Sequence, residues 1–350
     1  MSFRLGGGDG VSVEAAKWAW ALRRLGFDIV TVAGAGTADH VLPALAMGTS
    51  GPPARERAVE AALEGADVVV VENLCSLPLN PAAAEAVAAC LRGRPAILRH
   101  HDLPWQRPAF TSYPPPPDDR AWRHVTINEL SRRELGRHGI EARTVYNAFD
   151  PDPAPAPGSR AAVRAALGVG PRQRLVLQPT RALARKRVDL GIALAEQLGA
   201  TYWLLGPAED GYDGELKRLL ARARCKVVHG WPQLRGARLT VADAYSACDV
   251  VALPSDWEGF GNPAVESATH RRALAIGDYP VGRELASFGF RWFPVTDAAA
   301  VAAWLERPDR GLLEHNAGVA RRSFSLRDLP TRLGAVVADC VGSYLADDRR

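Results

Sequence analysis

Val250-Val251-Ala252-Leu253-Pro254-Ser255-Asp256-Trp257-Glu258-Gly259-Phe260-Gly261-Asn262-Pro263-Ala264-Val265-Glu266 reads as a short apolar strand, a glycine-bearing turn and the start of a helix. The apolar run Val250–Leu253 suits a strand covered on both faces of a parallel sheet. Asn262 has the chemistry of an N-cap and Pro263 that of a first helical residue. The glycines let backbone amides come close to a ligand. Amides at a helix start favour an anion or a ring of hydroxyls. Glu258 falls on the turn and Glu266 in the first turns of the helix. The same residues also fit a plain tight turn, with an acid near a helix start stabilised by the dipole.

The unit repeats along the chain. Before it, strands are expected at Asp28–Ala33, Asp67–Glu72, Ala96–Arg99, His124–Ile127 and Arg143–Tyr146. Helices are expected at Ser12–Leu25, Arg55–Leu63, Ala82–Leu91 and Ser131–Arg137. The segment Asp150-Pro151-Asp152-Pro153-Ala154-Pro155-Ala156-Pro157-Gly158 continues neither a helix nor a central strand and reads as a linker. A second series follows, with strands at Leu175–Gln178, Tyr202–Leu205, Lys226–His229, Val250–Leu253 and Ala273–Ile276. Its helices are expected at Val188–Leu198, Glu215–Arg222, Val241–Ala247, Pro263–Thr269 and Ala298–Leu305. Alternation in both halves predicts an α/β chain of two doubly wound, Rossmann-like domains facing across a cleft. The divisions are 1–150, 151–327 and a C-terminal helix in 328–350 that can pack back on the first domain. The proline run Tyr113-Pro114-Pro115-Pro116-Pro117 reads as an extended surface loop over or beside that cleft.

Composition narrows the function classes. The 350 residues suffice for two domains, and the net charge of +4 is too small to mark nucleic acid as the main partner. Cys75, Cys90, Cys225, Cys248 and Cys340 form no C-x-x-C pair, which argues against zinc and fits a reducing cytosol. No signal core and no membrane-length apolar run occurs, so a cytoplasmic protein is expected, with peripheral membrane contact left open.

Three further loops carry chemistry. Thr180-Arg181-Ala182-Leu183-Ala184-Arg185-Lys186-Arg187 puts four cations after the first strand of the second half, which suits a diphosphate or, more blandly, a solvated basic loop. Gly6-Gly7-Gly8-Asp9-Gly10-Val11-Ser12 leads into a helix and has the shape of a phosphate loop or of any tight strand-to-helix turn. Arg99-His100-His101-Asp102-Leu103-Pro104-Trp105 ends a strand with two adjacent histidines. Their side chains diverge on an extended segment, which disfavours a shared metal, and a structural role capping backbone groups is the alternative.

The stretch from Glu258 to Glu266 resembles the E-x7-E motif of retaining glycosyltransferases of the GT-B fold, in particular glycosyltransferase family 4. The order of the other loops along nearly the whole chain is similar to that family's. The resemblance implies transfer of a sugar from a nucleotide-diphosphate donor, with the first domain on the acceptor side and the second on the donor side. It implies that Glu258 contacts the donor sugar's hydroxyls, that the amides of Gly259, Phe260, Gly261 and Asn262 surround that sugar, and that Glu266 accepts from the ribose hydroxyls. Arg181 and Lys186 match the family's diphosphate-neutralising pair, with Arg185 and Arg187 as possible sharers. Thr180 and Arg187 stand where the family has glycines. Gly8, Asp9 and Gly10 match the loop under the donor phosphates, and His101, with His100 the competitor, matches a histidine near the donor sugar. Asp102 and Trp105 fall on the acceptor side, and Asn128, Glu129, Ser131 and Asn147 match positions where the family places small polar residues to meet the acceptor or the interdomain cleft.

The resemblance implies no essential metal and no cofactor beyond the nucleotide sugar. GDP-mannose and UDP-glucose both fit as donors. The acceptor would be a carbohydrate, a small polyol or acid, or a lipid. A same-fold phosphorylase or nucleotide-sugar epimerase, a dinucleotide-dependent dehydrogenase and a catalytically silent sugar-binding protein are the competing readings.

Overall fold

The computed structural model describes residues 1–48, 56–233 and 239–347. The chain forms two compact units: Met1–Ala148 with the C-terminal segment from Leu326, and Phe149–Ser325. The expected divisions lie two residues later at each boundary, 150 against 148 and 327 against 325.

The first unit carries β1 (Ser2–Leu5), α1 (Gly10–Arg24), β2 (Val32–Gly36), β3 (His40–Val41), α2 (Glu56–Ala62), β4 (Val69–Glu72), α3 (Pro81–Leu91), β5 (Ala96–His100), β6 (Trp122–Thr126), α4 (Glu129–Arg137) and β7 (Ala142–Thr144). Its sheet runs β3-β2-β1-β4-β5-β6-β7, with every pairing parallel.

The second unit carries α5 (Ser159–Ala166), β8 (Leu175–Gln178), α6 (Val188–Gln197), β9 (Thr201–Leu204), α7 (Asp213–Arg222), β10 (Val227–His229), α8 (Val241–Ala247), β11 (Val250–Leu253), α9 (Asn262–Thr269), β12 (Ala273–Ile276), α10 (Pro280–Ala286), β13 (Phe293–Pro294), α11 (Ala298–Glu306) and α12 (Arg310–Ser323). Its sheet is again parallel, in the order β10-β9-β8-β11-β12-β13. The last helix, α13 (Leu329–Asp347), belongs to the first unit.

Alternation along the strands explains the layers. In β5, Ala96 and Leu98 face a core built with Val59 of α2 and Val87 and Leu91 of α3. Ile97 faces the other side, against Trp18 and Leu22 of α1 and Leu333, Val336 and Val337 of α13. Both faces are apolar because both are covered. In each sheet the order reverses between two central strands, β1 and β4 in the first, β8 and β11 in the second. Loops at the carboxyl ends of these strands are where such sheets bind ligands.

Several expectations are corrected. The strand expected at Asp28–Ala33 is β2, four residues further on. Its register with β1, Ser2 opposite Ala33 and Leu5 opposite Gly36, fixes it there. Val30 is left 62% exposed, and Thr31 instead hydrogen-bonds the Asp39 carboxylate through its backbone N–H and its hydroxyl. Gly34 is required in this strand, since a Cβ there would lie 2.1 Å from the Ala46 nitrogen. The two-residue strands β3 and β13, and helices α5, α10 and α12, were not foreseen. The expected start of α2 at Arg55 lies outside the described residues.

Helix α9 is entered differently from the expectation too. Gly261, at φ +88°, is its N-cap and Asn262 its first residue. Only glycine adopts that conformation without cost, and a Cβ there would also sit 2.2 Å from the Tyr279 hydroxyl.

Candidate functional site

In the second unit, the loops following β8 and β11 meet at the switch point. Glu258 is 6% exposed. Lys186 Nζ donates to both of its oxygens, at 2.5 Å. Ser255 Oγ donates to Oε1 at 2.6 Å, and Arg185 reaches Oε2 at 3.4 Å while also holding the Trp257 carbonyl at 2.9 Å. Burial alone raises the carboxyl pKa, but the charges of Lys186 and Arg185 outweigh it and hold Glu258 below the usual range, hence ionised. Burial pulls Lys186 downward, against the raising effect of Glu258. A buried, oriented ion pair thus joins two of the expected site residues.

The other cations divide. Arg181 pairs with Glu209 at a half-buried position. Arg187 turns away to Asp189 and Asp256. Its φ of +46° shows what becomes of the missing glycine: Arg187 itself takes the left-handed conformation and caps α6. The loop keeps a glycine-like shape at a local cost of roughly 1–2 kcal/mol.

Glu266 lies on α9, half-buried, and its Oε2 accepts from the Tyr245 hydroxyl at 2.7 Å. Phe260 is buried, with its ring packed against Phe149 and Phe324. Its side chain is therefore a core anchor of the Glu258–Gly261 turn.

In the first unit, Gly6, Gly7, Gly8 and Gly10 are exposed and α1 starts at Gly10. Asp9 caps α1: its carboxylate accepts from Ser12 N at 3.1 Å and Ser12 Oγ at 2.8 Å, and pairs with Arg4 at 3.2 Å. Asp102 is held by Arg107 at 2.7 Å. The Trp105 ring stacks on His138 at 4.1 Å and donates to Glu134, so one of its faces is taken. Asn128 caps α4, and Asn147 accepts from Arg99 at 3.0 Å.

The two histidines belong to separate networks. His100 has both ring nitrogens engaged, by Ser76 Oγ at 2.6 Å and by His124 Nδ1 at 2.9 Å; His124 in turn reaches Asp118 at 3.0 Å. Burial lowers the pKa of both rings, which keeps them neutral. The Asp118 carboxylate then accepts from His124 Nε2–H, His124 Nδ1 accepts from His100 Nε2–H, and His100 Nδ1 accepts from Ser76. Ser76 also lines a groove of about 340 Å³ with Leu77, Pro78, Ala88 and the Tyr113–Pro117 run. His101 instead places Nε2 2.7 Å from Glu72 Oε2, with its backbone N–H on Asn73 Oδ1 at 2.9 Å.

Glu72 opens a network that the sequence reading missed. Arg99, 0% exposed, reaches Glu72 at 3.2 Å, Glu14 at 3.3 Å and Asn147, and its guanidinium lies 4.3 Å from the centre of the Trp18 ring. Lys17 neutralises Glu14 from outside at 2.6 Å. Burial would raise the Glu72 pKa, but the Arg99 charge and the His101 hydrogen bond and charge drive it down to about 2. A depressed carboxyl stabilises the fold above its unfolded pKa and loses that contribution as pH falls through the folded value. The Tm should therefore drop steeply between about pH 5 and pH 2, with about 3 kcal/mol lost from this group. Glu72→Gln should flatten the pH dependence while lowering Tm at neutral pH. An equally steep acid limb in the variant, followed by circular dichroism, would assign the acid loss elsewhere. A partial sequence signal was present: Glu72 closes the apolar run of β4, and Arg99 follows the apolar run Ala96–Leu98 of β5.

Among the described residues, no group of three His, Cys, Asp or Glu side chains gathers as a metal-binding set, and no helix is long and apolar enough to cross a membrane.

No protein-family model matches the chain. It is 27% identical over 323 residues to mannosylglucosylglycerate synthase of Thermotoga maritima, covering 77% of this chain and 75% of that protein. It is 32% identical over 179 residues to D-inositol 3-phosphate glycosyltransferase of Segniliparus rotundus, covering 47% of this chain and 39% of that one. Among solved structures, Anabaena HepE in complex with UDP and glucose superposes with a TM-score of 0.73 at 16% identity, over 97% of this chain and 100% of that chain. The fold is GT-B, and the chain is a glycosyltransferase.

Proposed function

We propose that this protein transfers a hexose from a nucleotide-diphosphate sugar, of the GDP-mannose or UDP-glucose type, to a hydroxyl acceptor with retention of anomeric configuration, in the cytoplasm. The observation that carries the proposal is the buried pair of Lys186 and Glu258 at the switch point of the second unit. The pair combines a cation for a leaving diphosphate with a carboxylate for sugar hydroxyls. The similarity to mannosylglucosylglycerate synthases supports a hexosyl, specifically mannosyl, donor and an acceptor of the small glycoside-acid kind. The HepE complexes with UDP-glucose favour the uridine alternative.

In this reading Glu258 does not attack the sugar. Its oxygens are held by Lys186, and donor binding transfers Lys186 to the diphosphate and releases Glu258 to the sugar. Arg181 supplies the second cation. The acceptor oxygen approaches the face that the diphosphate leaves. The bond from the anomeric carbon to the diphosphate breaks, the bond to the acceptor oxygen forms, and the acceptor proton passes to a phosphate oxygen. The protein supplies position and charge, so no metal or cofactor is required. Glu266 takes the ribose hydroxyls. In this reading the glycine loop of Gly8, Asp9 and Gly10 serves the donor phosphates, His101 the donor sugar and Asp102 the acceptor.

A thermal-shift screen of GDP-mannose, UDP-glucose and NADH tests the proposal. A donor at 100 times its Kd should stabilise the protein by about 2.7 kcal/mol, and NADH should do nothing. EDTA should leave transfer unchanged. Stabilisation by NADH alone would overturn the reading, and so would complete loss with EDTA restored by one metal.

A further inference from the structure

A carboxylate can accept two vicinal hydroxyls at once only when its plane is held toward them. The structure shows what holds Glu266, and it is not a neighbour in sequence. Tyr245, on α8, is 0% exposed, and its hydroxyl donates to Glu266 Oε2 at 2.7 Å. Its ring lies flat on His270, 4.5 Å between centroids and 5° between planes. Its carbonyl is held by Arg272 Nε at 2.7 Å and by Cys248 Sγ at 3.3 Å. The helix that carries it is fixed by a capping box of Thr240 and Asp243. The phenol therefore has one position available to it.

Its chemistry is fixed as well. Burial, and then the Glu266 charge, raise the Tyr245 pKa well above the phenol range, so the hydroxyl remains a donor at any working pH. Burial pushes His270 down to about 4, which keeps the stacked ring neutral and puts no competing cation beside the acid.

We infer that Tyr245 is a positioning residue that sets ribose recognition: by occupying one oxygen of Glu266 it orients the carboxylate so that a nucleotide is held through its ribose hydroxyls. This rests on the role given to Glu266 above. The inference makes discrimination between ribo- and deoxyribonucleotides a property of Tyr245, although Tyr245 itself touches no ligand.

The test measures the affinity of the purified full-length protein for UDP, GDP and their 2′-deoxy counterparts by calorimetry. The expected wild-type result is tighter binding of the ribonucleotide. Tyr245→Phe should weaken the ribonucleotide about five- to tenfold, the scale of one hydrogen bond to a charged group, and the 2′-deoxy form less than about twofold. The ratio between them then collapses, while Tm in the absence of nucleotide reports any loss of folding. Should Tyr245→Phe not fold, 3-fluorotyrosine in place of Tyr245 keeps the shape and alters the strength of its hydrogen bond, and the same ratio must move.

The failures are distinguishable. Equal wild-type binding of ribo- and deoxyribonucleotides removes the ribose role of Glu266, and the inference with it. Wild-type discrimination that Glu266→Gln abolishes but Tyr245→Phe retains overturns the inference and leaves the Glu266 role standing. A Tyr245→Phe protein with lowered Tm and an unchanged ratio would make Tyr245 a packing residue only.

Discussion

Lys186→Ala should lower glycosyl transfer about a hundred- to a thousandfold, the scale of losing one group aimed at charge that develops on the leaving diphosphate. Glu258→Gln should lower it comparably, through loss of the acceptor for the sugar's hydroxyls. Neither change should unfold the second unit. Removing one member of a buried pair costs about 3–5 kcal/mol when the partner is stranded. Here Ser255 and Arg185 still hold Glu258 after Lys186 is gone, which puts the cost toward the low end. Single-turnover transfer by the purified variants, with circular dichroism as the folding control, reads both effects. The double variant is informative as well: because the two residues act as one device, its loss should be far less than the product of the single losses. Wild-type activity in either single variant would remove that residue from the scheme.

The second large effect is on stability. Arg99→Met should destabilise the first unit by about 3–5 kcal/mol, because Glu14 and Glu72 would remain buried with one strong cation removed from between them. Restoring neutrality should recover much of it. The triple change Arg99→Met, Glu14→Gln, Glu72→Gln is expected to be more stable than Arg99→Met alone, since a buried pair replaced as a whole is often close to neutral. Urea unfolding followed by tryptophan fluorescence, to which Trp18 beside Arg99 contributes directly, measures both. A loss under about 1 kcal/mol for Arg99→Met would mean that water or backbone groups already screen the two acids.

The alternation of strands and helices was legible because each central strand is buried on both faces. Runs such as Val250–Leu253 then leave no other reading. The pairing of Lys186 with Glu258 was legible only as two loops in sequence, since 72 positions separate them. The parallel order of the sheet brings those loops together. The two-residue strands β3 and β13 carry no pattern long enough to show a period. Helix α5 was hidden because its order depends on side chains reaching elsewhere: Arg160 and Arg164 cap the carbonyls that end α8. Asn262 was misplaced by one residue because its side chain is a good cap, while the deciding factor is the left-handed backbone of Gly261. The Arg99 network escaped for another reason. Glu14, Glu72, Arg99 and Asn147 are ordinary polar residues in sequence, and only the switch between β1 and β4 collects them at one end of the sheet.

Helix α13 closes one face of the first sheet, where Leu329, Leu333, Val336, Val337 and Cys340 cover Ile97 and Val125. The two units therefore differ in the order in which synthesis completes them. Phe149–Ser325 is one unbroken segment and can close its own core as soon as it leaves the ribosome. The first unit must wait, one face still wet, until α13 has followed Ser325 out of the ribosome. A chain stopped at Ser325 would carry a finished second unit joined to an unfinished first one.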